Sequence, residues 1–83
     1  MAESTSAPPR VVLVTGASTF LGGYLVARLA ANPDIEKVLA VDSRVPRKDL
    51  LRRMGRAEFL RVDIRRPTIA KALAAYDVDT VVH

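Results

Sequence analysis

The chain has 83 residues, no cysteine and a net charge of +4, with 49% hydrophobic and 27% charged residues. That length holds one small domain at most, whose folding buries only roughly 60% of the surface the unfolded chain exposes, and the composition is that of a globular protein. The missing cysteine excludes disulfides, thiolate metal sites and cysteine nucleophiles and fits a reducing compartment such as the cytoplasm, while no apolar run approaches the roughly 18–20 residues of a membrane span.

Residues 1–9, MAESTSAPP, read as a disordered leader rich in Ser, Ala and Pro, without the basic and apolar regions of a signal peptide. The unbroken, β-branched run VVLV at 11–14 predicts a strand buried on both faces. A glycine turn follows, then 21–31, LGGYLVARLAA, which sets Leu21, Leu25, Arg28 and Leu29 at helical spacing and makes Tyr24 a packing residue of the helix face. Asn32-Pro33-Asp34 ends that helix. A second buried-type strand, KVLAV at 37–41, closes at Asp42. Residues 46–55 open with proline, run through DLLRRM and end at Gly55, as a short amphipathic helix does. AEFLRV at 57–62 reads as a third strand closed by Asp63, and PTIAKALAAY at 67–76 as a compact helix with Tyr76 at its end. TVVH at 80–83 opens a fourth strand.

The order β-α-β-α-β-α-β predicts an α/β fold with a parallel sheet and helical crossovers, the N-terminal half of a Rossmann-type doubly wound sheet. In the strand order 3-2-1-4-5-6 the fourth strand lies beside the first, across the switch point where a ligand sits. A domain rarely stops inside an apolar strand, where an open edge invites pairing. The expectation is therefore an N-terminal piece of a longer protein, truncated in the fourth strand, with residues 10–83 as a partial Rossmann-type domain.

The turn itself carries the chemistry. Gly16 makes the tight exit from the first strand, and Gly22 lets the next helix pack close to it. The usual spacing puts a third glycine at position 19, where backbone and phosphate approach; this chain has Thr19. With positive φ a β-branched residue there is an outlier; with negative φ it is accommodated, and its hydroxyl is free to donate to a phosphate oxygen. The turn offers backbone N–H groups and a helix N-terminus to a diphosphate. Asp42 follows Gly22 by 20 residues, about where a carboxylate bonds the adenosine ribose, and Asp63 closes the neighbouring strand near the adenine edge. A carboxylate at 42 repels a 2′-phosphate, which favours NAD over NADP, with Arg44 and Arg47 downstream softening that preference.

Nine of the thirteen basic residues lie between Arg44 and Arg66. A polyanion surface and a solvated or docking face are both compatible with that density, and the lack of interleaved aromatic rings favours the second. Tyr76 is not followed by lysine four residues on, and His83 is a lone imidazole that supports no metal site or triad.

The segment TGASTFLGGYLV, followed by VLAVD, FLRVDI and VDTVVH, resembles the opening of the extended short-chain dehydrogenase/reductases, specifically the NAD-dependent epimerase/dehydratase group that includes UDP-glucose 4-epimerase. By that resemblance Phe20 and Leu21 present their backbone to the pyrophosphate, Asp42 and Ser43 meet the ribose, and Asp63 with Ile64 flanks adenine. The resemblance implies an NAD-dependent nucleotide-sugar epimerase or dehydratase, a homodimer in its longer form, whose catalytic Tyr-x-x-x-Lys is not among these residues. Two other readings stand beside it: a non-catalytic dinucleotide-binding or regulatory module, and a fragment binding a partner or nucleic acid through residues 44–66.

Overall fold

The computed structural model describes residues 10–83; the leader expected at 1–9 lies outside the described residues. The chain alternates β1 (Val11–Thr15), α1 (Phe20–Ala30), β2 (Lys37–Asp42), α2 (Lys48–Arg53), β3 (Glu58–Arg61), α3 (Thr68–Ala75) and β4 (Thr80–Val82). All strand pairs are parallel, in the order β3-β2-β1-β4. Chain direction across the sheet thus reverses between β1 and β4, as the doubly wound order requires.

The β-branched runs make the two central strands because both of their faces are covered. Val12 and Val14 point to one side with Val38 and Ala40, where they meet Ala17, Val26, Ala30, Ile35 and Met54. Val11 and Leu13 point to the other with Leu39 and Val41, against Ile69, Leu73, Tyr76 and Val78. The side chains of α1 and α2 therefore cover one face and those of α3 the other. Burying each Val or Leu contributes roughly 1.5–3 kcal/mol, so these two strands hold most of the stabilising area.

Helix α1 differs from its expected face. The side toward the sheet is Gly23, Val26 and Ala30, with Leu25 and Leu29 partly buried, whereas Leu21 is exposed. Tyr24 is 54% exposed and packs on no core; Arg28 sits over its ring and bonds its hydroxyl, so the expected packing role is corrected. The reason lies at Gly23, where a Cβ would collide with Leu50: the helices approach through the glycine, which turns Tyr24 outward.

Two glycine-type turns set the helix ends. Gly55 after α2 has φ +62°, and Asp77 after α3 has φ +52°. Val78 N–H bonds the Leu73 carbonyl and Asp77 N–H the Ala74 carbonyl, a Schellman cap built on aspartate. At the far end of α1, Arg56 donates to the carbonyls of Ala30, Asn32, Ile35 and Glu36. That guanidinium closes the α1–β2 turn while Arg56 stays exposed.

Candidate dinucleotide site

The carboxyl ends of all four strands meet at one cavity of about 680 Å³, within the usual range for a ligand pocket. Thr15 and Gly16 line it from the end of β1, Asp42 and Ser43 from β2, and Val62 to Arg65 from the segment after β3. Val82 and His83 close the β4 side, and Thr19, Leu21, Gly22 and Leu25 form the helical wall.

The glycine turn is set by local chemistry. Gly16 stands at φ +66°, the left-handed conformation a β-branched or bulky residue resists. A Cβ on Gly22 would run into the Gly16 carbonyl, so the start of α1 lies against the turn only because residue 22 is glycine. Thr19 is extended, at φ −79° and ψ 160°, the ordinary N-cap conformation. Its hydroxyl donates to the Gly16 carbonyl at 2.8 Å and accepts from Gly22 N–H at 3.0 Å. The proton expected to be free for a phosphate is thus committed to the turn.

Those bonds leave a specific set of donors. Ala17 N–H bonds the Val41 carbonyl, Thr19 N–H the Gly16 carbonyl and Gly23 N–H the Thr19 carbonyl. Ser18 N–H donates to Asp42 Oδ2 at 2.9 Å. Among the described residues, Phe20 and Leu21, the first two residues of α1, have no carbonyl partner for their N–H groups. Donors at the positive end of a helix suit an anionic group.

Asp42 stands at the end of β2 and ties its loop to the turn. Beside the Ser18 bond it accepts from Arg44 N–H at 3.3 Å, and the Ser18 hydroxyl donates to the Arg44 carbonyl. Ser18 carries no spacing signal of its own in the sequence; only the closed loop reveals this staple. Ser43 lies alongside in the lining.

Asp63 holds a different partner set. Its Oδ1 accepts Arg65 N–H at 3.0 Å and Arg65 Nε–H at 3.1 Å, and its Oδ2 accepts Nη2–H at 2.9 Å. The Arg65 side chain, then its backbone N–H, holds the Asp63 carboxyl down at about 2. Ile64 and Arg65 follow it into the cavity wall. Across β1, His83 Nδ1 lies 2.8 Å from Thr15 Oγ1, the one polar side-chain pair on the β4 side of the cavity among the described residues.

All the sequence-predicted site residues but one come together here. Phe20, 82% exposed, lines instead a shallow groove with Tyr24 and Leu50. The basic stretch disperses. Arg56 caps α1, Arg47 pairs with Asp49, Arg61 bonds the Ser43 carbonyl and Arg65 pairs with Asp63. Among the described residues no group of three or more His, Cys, Asp or Glu could hold a metal, and no helix is long and apolar enough to cross a membrane.

A glycine turn opening on a helix, a strand-end carboxylate and a reversal of the sheet at the same edge describe a nucleotide crevice. The model of the NAD dependent epimerase/dehydratase family matches residues 12–83. The chain belongs to that family. Among curated proteins it is 68% identical over 75 residues to Uncharacterized protein Rv0501 of Mycobacterium tuberculosis, and equally to Uncharacterized protein Mb0513 of Mycobacterium bovis. The match takes in 90% of this chain but 20% of those proteins, so the family member here spans about a fifth of their length. Among solved structures, L-threonine dehydrogenase from Clostridium difficile superposes with a TM-score of 0.73 at 24% identity, over 90% of this chain and 23% of that one. That likeness bears on the fold.

The residues present fit the family's NAD(P) cofactor. The N-terminus of α1 suits a pyrophosphate, the Asp42 carboxylate suits ribose hydroxyls, and the cavity runs from Leu21 and Gly22 to Asp42.

Proposed function

We propose that this chain is the cofactor-binding part of an NAD-dependent epimerase or dehydratase that acts on a nucleotide-sugar in the cytoplasm. The observation that carries the reading is Asp42, fixed at the end of β2 by Ser18 N–H and lining the same cavity as Leu21 and Gly22 at the N-terminus of α1. Phe20 and Leu21 would hold the pyrophosphate through their N–H groups at the helix's positive end. Asp42 and Ser43 would orient the ribose. Asp63 and Ile64 would line the adenine end.

NAD rather than NADP follows from charge. The Asp42 carboxylate accepts bonds from a free 2′-hydroxyl and repels a 2′-phosphate. The basic residues that could offset this are partly spent, since Arg47 pairs with Asp49 and Arg61 bonds Ser43. When bound, the nicotinamide accepts and returns hydride. The residues of this chain bind and orient the cofactor. The acid–base groups belong to the longer form, since Tyr24 and Tyr76 are followed four residues on by Arg28 and Thr80 rather than lysine. The nucleotide-sugar assignment rests on the resemblance of the motif series and on family membership.

Isothermal titration of the chain with NAD and NADP tests the reading. The expectation is tighter binding of NAD, with Asp42→Asn narrowing the gap by about tenfold as the repulsion of a 2′-phosphate is removed. Equal affinity for both cofactors in the wild-type chain, or a preference for NADP, contradicts it.

A further inference from the structure

A second groove lies between α1 and α2 and shares no lining residue with the dinucleotide cavity. Phe20, Gly23, Tyr24 and Ala27 form its α1 wall, and Leu50 and Arg53 of α2 form the other. Phe20 and Tyr24 stand one helical turn apart, so their rings are neighbours on one face, and both are exposed. Paired aromatic rings left in water along a groove mark a docking surface more than a stray apolar residue does. The groove holds about 70 Å³, far below the roughly 300–1,000 Å³ of a small-molecule pocket. It fits a side chain.

Its charge is of one sign. Arg53 lines the groove, and Arg28 lies over the Tyr24 ring, 5.9 Å from the centre, and donates to its hydroxyl at 3.2 Å. Among the described residues no carboxylate lines the groove, and neither arginine makes an ion pair. A ligand that sets a carboxylate beside an apolar side chain complements both features. The same face of a second copy would set arginine against arginine. A bilayer holds its charges in a layer apart from its apolar interior, whereas Arg53 lines the same small hollow as the rings.

We propose that the α1–α2 groove docks an acidic amphipathic segment of a partner protein, with an apolar side chain among Phe20, Tyr24 and Leu50 and a carboxylate on Arg53. Tyr24, turned away from the core by the helix contact at Gly23, thereby gains a partner.

The test titrates the chain with a synthetic peptide that carries leucine at helical spacing among glutamates, read by amide NMR and isothermal titration. Binding is expected to move the Gly23 and Ala27 amide resonances, and a twin peptide with glutamine for every glutamate is expected to bind about fivefold more weakly. Arg53→Gln should weaken the acidic peptide about fivefold and Tyr24→Ala about tenfold. Both positions are exposed and outside the dinucleotide cavity, so both variants keep the wild-type circular dichroism and NAD affinity. Unmoved amides, equal affinity for the two peptides, or variants that bind like the wild type overturn the proposal. Two further results overturn it by assigning the face to another occupant. One is co-sedimentation with phosphatidylserine vesicles that Tyr24→Ala abolishes; the other is a dimer in sedimentation velocity that the same substitution dissolves.

Discussion

Thr19 stands where the family motif has glycine, and its backbone explains how it is accepted. At φ −79° no left-handed conformation is asked of it, and its hydroxyl closes the turn in both directions, to the Gly16 carbonyl and from Gly22 N–H. The residue is thus an N-cap that stabilises α1. Thr19→Ala is expected to cost about 1 kcal/mol and Thr19→Gly only a few tenths, read from urea unfolding midpoints. NAD affinity should stay within about twofold in Thr19→Gly, because the Phe20 and Leu21 N–H groups are untouched; a gain of tenfold or more would show that the threonine obstructs the cofactor. Gly16 and Gly22 are different in kind. One is held at positive φ and the other has no room for a Cβ, so neither has a substitute.

At the scale of elements, α1 is held by its buried face, and α2 and α3 bury much less. Neither α2 nor α3 buries a residue completely. Helix α3 has no side-chain N-cap and ends on Asp77 at φ +52°, within a Schellman cap that glycine ordinarily occupies. Aspartate tolerates that conformation better than most residues but still carries a Cβ penalty. Asp77→Gly is therefore expected to raise stability by about 0.5–1 kcal/mol, seen as a higher thermal midpoint by circular dichroism. An unchanged or lower midpoint would mean that the flexibility gained by the unfolded chain offsets the relief. At the opposite end of the sheet Arg56 shows how a charge run can mislead. Its neighbours in sequence suggest a surface patch, while its guanidinium is consumed by four backbone carbonyls.

For the molecule as a whole, acid is the condition to which the fold responds most directly. Three carboxyls lie below their ordinary range: Glu58 through the Tyr76 hydroxyl and Lys37, Asp63 through Arg65, and Asp79 through the Thr80 hydroxyl and the N–H groups of Arg10 and Val11. These contacts join β2, β3 and the end of α3, brace the cavity wall, and fasten β1 to β4. Each group is depressed in the folded state, so its contribution is complete above the unfolded value of about 4 and is lost as pH falls through the lower folded value. The urea midpoint is thus expected to decline steadily between about pH 4 and pH 2. For Asp63 a carboxyl carbon resonance titrating at about 2 checks the site directly, and a midpoint near 4 would show that the fork to Arg65 does not persist in solution.

Sequence alone determined the alternation of strands and helices, because an unbroken β-branched run can satisfy both faces only inside a covered parallel sheet. It also determined the glycine turn and the carboxylate that follows it, since backbone conformation at Gly16 and the close approach at Gly22 are properties of single residues. Other features depend on which atoms meet across the chain, and the tertiary structure alone decided them. The period of α1 could not tell that Gly23 would face Leu50 and send Tyr24 outward. Nor could spacing show Ser18 bound to Asp42, Arg56 closing the α1–β2 turn, or Arg65 locked against Asp63. Each of these is a hydrogen bond or a steric contact set by tertiary geometry, and a one-dimensional pattern carries no distance between its residues.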